Sequence, residues 1–227
     1  MLSDNQAGFI DFLVQSGALT FGDFVTKSGR STPYFINTGK FDDGGKIMRL
    51  GEFYAAHIVQ SGLSDINVVF GPAYKGIPLA VATGIALQRD HGISAGISFD
   101  RKEEKEHGDR GRIVGKKISD GDEIVIVEDV ITAGTTMREI VPLLTSIAKI
   151  NFRGVVLAVD RCERGTTTLS AVQEVEQELG LKVFPIVTIK DIVRRLSGPN
   201  SSGMLLTDEL QKRIAQYLKE YGAAWKE

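Results

Sequence analysis

Apolar positions recur along this chain with two different periods. Between Asp4 and Gly17, Phe9, Ile10, Leu13 and Val14 fall on one face of a helix, and Gly17 supplies its stop. Helical spacing returns over residues 47–60, 77–89, 135–148, 170–179 and finally about 207–221. Five apolar runs of strand length, 66–70, 95–99, 123–127, 154–159 and 183–187, are set mostly between those helices. The stretch 20–41 is aromatic and punctuated by glycine, which predicts short strands. Buried strands alternating with helices predict an α/β fold, a central and mostly parallel sheet flanked by helices on both faces. No repeat, low-complexity tract or long linker divides the sequence, so residues 1–227 are expected to form a single domain. Ligands of such sheets bind beyond the carboxyl ends of the strands, and that is where chemistry is sought.

Composition changes this picture little. Hydrophobic residues make up 42% and charged residues 25%, with a net charge of −2, so nothing draws the whole molecule to nucleic acid or an anionic membrane. No apolar run approaches the roughly 20 residues needed to span a bilayer, and the N-terminus lacks the pattern of a signal peptide. The only cysteine, Cys162, excludes an intrachain disulfide and a multi-cysteine metal site, and a cytoplasmic location is expected. His57 and His91 stand in or near predicted helices without the spacing of a zinc site.

Three strand ends carry the candidate chemistry. The run 123–127 is followed by Glu128, Asp129, Val130, Ile131, Thr132, Ala133, Gly134, Thr135 and Thr136. Two adjacent carboxylates at the end of an apolar strand are costly without partners. Side chains alternate along a strand, so the two acids are expected to have different jobs. The small hydroxyl residues and glycine that follow open a helix, and a helix N-terminus with free N–H groups is a phosphate cradle. A second strand end continues as Gly71, Pro72, Ala73, Tyr74, Lys75, Gly76, Ile77 and Pro78, a tight connection from which Lys75 projects. A third runs into residues 101–117, with seven Lys or Arg, four acids and glycines at 108, 111 and 115. That composition predicts a mobile surface loop. Without an aromatic residue it offers nothing for a nucleic-acid base to stack on.

The segment ending in Glu128–Thr136 resembles the phosphoribosyl pyrophosphate signature of type I phosphoribosyltransferases. It is no Walker loop, and no GxGxxG occurs. The resemblance implies that Glu128 and Asp129 face the ribose hydroxyls. It also implies that the loop through Val130 and Ile131 carries Thr132, Ala133, Gly134, Thr135 and Thr136 to the 5-phosphate. Residues 71–78 resemble the pyrophosphate loop of the orotate phosphoribosyltransferases, with Tyr74 and Lys75 at the diphosphate. Arg101, Lys102, Glu103, Lys105, His107 and Gly108 match that family's catalytic loop, which implies that Arg101, Lys102, Lys105 and His107 reach the pyrophosphate. Phe21, Gly22, Phe24, Lys27, Ser28, Gly29, Arg30, Pro33, Tyr34 and Phe35 match its N-terminal segment. This implies Lys27 at the pyrophosphate or base and Tyr34 and Phe35 near orotate. To the Tyr34 hydroxyl the sequence assigns no partner. Asp160, Arg161, Glu163, Arg164 and Gly165 match again, and imply Arg161 as a fork for the orotate carboxylate.

The resemblance covers roughly residues 9–196. It implies a small N-terminal hood, about residues 1–45, over the base site. It further implies Mg²⁺ held mainly by substrate oxygens, and a homodimer with shared active sites. The reaction expected is transfer of ribose 5-phosphate from phosphoribosyl pyrophosphate to orotate, giving orotidine 5′-phosphate on the route to UMP. Lys105, Arg101, Asp129 and His107 are the expected catalytic groups. A purine or uracil phosphoribosyltransferase, or a phosphoribosyl pyrophosphate sensor, is the alternative; the basic loop argues against a sensor.

Overall fold

The computed structural model describes residues 2–26, 29–105, 111–198 and 206–223, the side chains of 103–105 and 111 excepted. Helix α1 (Asp4–Gln15) starts at a reciprocal cap in which Ser3 and Gln6 each bond the other's backbone N–H. A two-stranded antiparallel hairpin follows, β1 (Leu19–Val25) with β2 (Ser31–Ile36), and then a 3₁₀ turn, Thr38–Lys40. The remaining elements alternate as the periodicity requires: α2 (Gly44–Gln60), β3 (Val68–Phe70), α3 (Gly76–His91), β4 (Gly96–Lys105), β5 (Gly111–Gly115), β6 (Glu123–Glu128), α4 (Thr135–Ile147), β7 (Asn151–Asp160), α5 (Ala171–Leu179), β8 (Val183–Thr188), α6 (Ile189–Leu196) and α7 (Asp208–Tyr221).

Six strands form the central sheet in the order β5-β4-β3-β6-β7-β8, and every pair is parallel except β4 with β5. Alternation along the central strands decides what lies on each face. Ile124 and Ile126 of β6 point into one apolar cluster with Met137, Ile140 and Leu144 of α4, while Val125 and Val127 point into the other with Tyr54, Ile58 and Leu87. Each of these side chains is nearly or fully buried, worth about 1.5–3 kcal/mol for a large aliphatic. The first helix is fastened to the far edge strand: Gln6 Nε2 donates to the Ile186 carbonyl at 3.0 Å, and Arg195 of α6 pairs with Asp11 at 2.8 Å.

Two expectations are corrected. Composition makes 101–117 a surface loop, yet Arg101–Lys105 lengthens β4 and Gly111–Gly115 forms β5 beside it. The pairing of β4 with β5 is irregular after Asp100 and resumes at Lys105 opposite Gly111, and β5 is the edge of the sheet, a position that tolerates charged residues. Residues 189–196, to which no element is assigned from periodicity, form α6, capped reciprocally by Thr188 and Asp191.

Candidate active site

The strand β6 ends on its two acids, and they part company. Glu128 is buried, and its Oε1 accepts the Asp129 N–H at 3.0 Å. Burial, with the charge of Asp129 adding to it, pushes the Glu128 carboxyl up to about 8. Its carbonyl accepts the hydroxyl of the fully buried Tyr54 at 2.7 Å, a brace from α2. Asp129 turns the other way. Its Oδ1 accepts the Val130 N–H at 2.7 Å, and its Oδ2 accepts Thr38 Oγ1 at 2.6 Å and Lys75 Nζ at 3.0 Å.

Beyond Asp129 the chain opens into the cradle. Val130 and Ile131 are half-buried, Thr132, Ala133 and Thr135 are exposed, and Thr136 is half-buried. None of the three threonine hydroxyls hydrogen-bonds within the described residues, so all remain available to a ligand. Gly134 takes a left-handed conformation (φ 71°) at the N-cap of α4, where a Cβ would lie 2.8 Å from Val175. The guanidinium of Arg138 bonds the Ala133 carbonyl and pairs with Glu178, holding the loop from behind.

The connection after β3 is tight for a steric reason: a Cβ on Gly71 would stand 1.9 Å from the Gly76 carbonyl oxygen. Buried Asp100 accepts the Ala73 N–H at 2.6 Å, and the Ala73–Tyr74 peptide is cis. Tyr74 is exposed and Lys75 reaches over to Thr38 and Asp129. Beneath this contact lies a cavity of about 160 Å³ lined by Thr38, Phe41, Tyr54, Lys75, Asp129 and Ala158 among others.

On the side assigned to the base, Phe35 is partly exposed and stacks on Phe24 with centroids 5.4 Å apart. Tyr34, its neighbour on β2, points inward and is completely covered. Its ring lies between the Arg161 guanidinium, 4.7 Å from the centroid, and the edge of Tyr217 at 5.8 Å. Its hydroxyl donates to Glu163 Oε1 at 2.9 Å, which also accepts Arg161 Nε (2.9 Å) and Nη2 (2.6 Å). Burial pushes the Tyr34 hydroxyl well above the ordinary tyrosine value, so it remains a donor. The end of α7 clasps this loop: the Arg164 N–H bonds the Tyr221 carbonyl at 2.9 Å and the Ala223 N–H bonds the Cys162 carbonyl at 3.0 Å.

Of the basic arm, Arg101 is half-buried and Lys102 leans toward Glu139 of α4 at 3.8 Å. Lys105 closes β4, its side chain outside the described set, and Lys27 and His107 lie outside the described residues. Sequence reasoning assigns no role to Thr38, Tyr54, Asp100, Glu163 or α7. Glu163 had a signal, since an arginine held at a buried strand end requires an acid nearby. For Tyr54 and Tyr217, apolar helix faces hide any such signal.

The family profile described as "Phosphoribosyl transferase domain" matches residues 37–183. The orotate phosphoribosyltransferase of Bifidobacterium animalis subsp. lactis is 52% identical over 224 residues, covering 95% of this chain and 96% of that protein. That of Clostridium beijerinckii is 49% identical over 216 residues, with the same coverage of both. Among solved structures, the orotate phosphoribosyltransferase of Francisella tularensis superposes with a TM-score of 0.83 at 32% identity, over 95% of this chain and 100% of that one. Matched along nearly its whole length at such identity, this chain belongs to the orotate phosphoribosyltransferases.

Proposed function

We propose that this enzyme transfers the phosphoribosyl group of phosphoribosyl pyrophosphate to orotate at the carboxyl ends of β3, β6 and β7. The observation that carries the reading is the meeting of Lys75 and Asp129 at 3.0 Å, with Thr38 between them. A cation for the leaving diphosphate and a carboxylate for the ribose stand at one point, beside a phosphate cradle. In the reaction the bond from ribose C1 to the diphosphate breaks, a bond to the base nitrogen forms, and that nitrogen loses its proton. The sugar gains positive charge as the diphosphate gains negative charge, and no covalent nucleophile on the protein is needed. Lys75, Arg101, Lys102, Lys105 and His107 take the leaving charge, and Lys27 assists at the diphosphate or base. Glu128 and Asp129 hold the ribose, and the Asp129 carboxylate favours the cationic sugar. The 132–136 loop holds the 5-phosphate, Phe35 packs near the base, and Arg161 grips the orotate carboxylate in water-poor surroundings.

The donor set suits Mg²⁺ carried largely by the substrate. Asp129 presents one carboxylate beside the diphosphate lysine, and the substrate's own oxygens would supply the remaining donors. When bound, Mg²⁺ would neutralise diphosphate charge. The chain works as a single domain in which the first 45 residues form the hood, a reading supported by the reach of Thr38 to Asp129 and of Tyr34 to Glu163. Two copies share their sites through the basic arm at the sheet edge, and an unpaired Cys162 suits a reducing cytoplasm. Incubation with phosphoribosyl pyrophosphate, Mg²⁺ and each base in turn tests the assignment. Pyrophosphate release is expected with orotate and not with uracil, adenine or hypoxanthine, and comparable turnover with uracil would overturn it.

A further inference from the structure

We infer that Glu163 is the positioning residue for Arg161, holding one edge of the guanidinium so that the other edge meets the substrate carboxylate, and that the Tyr34 hydroxyl fixes Glu163 in turn. The inference rests on the reading of Arg161 as the grip on orotate. Arg161 presents two edges, Nε with Nη2 and Nη1 with Nη2. Glu163 takes the first, and both donors converge on the single oxygen Oε1, at 2.9 and 2.6 Å. A ligand carboxylate that engages Arg bidentately uses two oxygens in parallel. Nη1 contacts no acceptor among the described residues.

Two arrangements are consistent with a carboxylate beside that arginine: a permanent holder, or a stand-in that the substrate pushes away. The surroundings favour the holder. Glu163 Oε1 is also the acceptor of the Tyr34 hydroxyl, and the Tyr34 ring is completely covered. Moving Glu163 aside would deprive a buried hydroxyl, which burial keeps protonated, of its acceptor. The backbone of Glu163 is tied as well, bridged to Gly222 beyond α7. The Tyr34 ring lies against the guanidinium face at 4.7 Å, so one residue restrains both the arginine plane and its acid.

Charge supports the same assignment. Arg161 with Glu163 alone is neutral and gives an incoming carboxylate little net attraction. Arg30 Nη1 stands 3.9 Å from Glu163 Oε2, so the three groups together carry one positive charge, matched to a base bearing one carboxylate. Uracil brings no such charge. In this arrangement Glu163 contributes to specificity without touching the substrate.

Kinetics at varied orotate and varied phosphoribosyl pyrophosphate, with thermal unfolding in parallel, test this. Glu163→Gln is expected to raise the orotate KM about tenfold, the loss of one charge-assisted bond, with the phosphoribosyl pyrophosphate KM unchanged. Tyr34→Phe should move the orotate KM the same way by roughly threefold, and Glu163→Asp, which restores the charge, should fall between wild type and Glu163→Gln. In an Arg161→Ala background, Glu163→Gln should add less than about twofold, because it acts through the missing arginine. A merely structural Glu163 would lower the melting temperature and the active fraction and leave the orotate KM in place, which would overturn the proposal. An orotate KM that falls in Glu163→Gln would identify a stand-in and overturn it too. If Arg161→Ala itself leaves the orotate KM unchanged, the underlying placement of the base is what fails. Should Glu163→Gln not fold, Tyr34→Phe alone and in the Arg161→Ala background decides the question.

Discussion

Lys75 Nζ lies 3.0 Å from Asp129 Oδ2, 54 residues away in sequence, and Thr38 Oγ1 bonds both. The lysine side chain is 63% exposed, and ion pairs so open to water are worth at most about 1 kcal/mol. A diphosphate bound at Lys75 as proposed would therefore separate the pair at little cost. Lys75→Ala is expected to raise the phosphoribosyl pyrophosphate KM roughly ten- to a hundredfold, the range for a bond to a charged group. The orotate KM should change little. Initial rates at varied phosphoribosyl pyrophosphate check this, and an unchanged KM would remove Lys75 from the diphosphate site.

Glu128 makes the ligand-free protein pH-sensitive in a particular direction. Its carboxyl is pushed from 4.5 to about 8 by burial and by the Asp129 charge, so between those values the folded state holds a proton that the unfolded state has lost. Stability then falls as pH rises through that window. His57 acts oppositely, since burial lowers its value from 6.5, but above 6.5 it is neutral in both states. From pH 6.5 to 8 the melting temperature of the wild type should fall more steeply than that of Glu128→Gln. Parallel curves for the two proteins would refute a raised Glu128.

The shared-site arrangement predicts a specific mixing result. If Lys105 serves the partner's site and Arg161 its own, Lys105→Ala and Arg161→Ala proteins are each poorly active. After subunit exchange half the dimers are mixed, and each has one intact site of two, so about a quarter of wild-type activity returns. Measuring no recovery under conditions where exchange is demonstrated would exclude shared sites.

Cys162 should be chemically silent. Only 3% of its surface is exposed, and burial pushes its thiol up to about 12. A thiol-reactive dye is expected to leave the folded protein unlabelled at pH 8 and to label one cysteine per chain once urea unfolds it. Labelling at equal rates with and without urea would contradict the burial.

The sequence made the strands and most helices legible because burial on both sheet faces forces long apolar runs, as in β6 and β7, and because one-sided packing forces the helical period of α1 and α4. It also drew attention to Asp129 and Lys75, polar residues at the end of such runs, which the fold brings within 3.0 Å of each other. What it left hidden has a common cause. The role of Thr38 depends on a contact across 91 residues, and that of Tyr54 on one across 74, and no local pattern encodes either. The helix α6 was readable in principle, with Ile189, Ile192, Val193 and Leu196 at helical spacing behind a Thr188–Asp191 cap, but it follows the apolar run of β8 with no break between them. For the arm 101–105, charged composition pointed to a loop, whereas the backbone continues β4 and comes into register with β5 at Lys105, opposite Gly111.

The fastening of α1 to β8 has a consequence for synthesis. Gln6 and the Ile186 carbonyl it bonds are 180 residues apart, so the apolar face of Phe9, Ile10 and Leu13 lacks its cover from β8 and α6 until they have left the ribosome. At ordinary translation rates that wait is on the order of ten seconds. For that interval the nascent chain carries a partly uncovered greasy stripe on α1, which is the kind of surface that holding chaperones recognise.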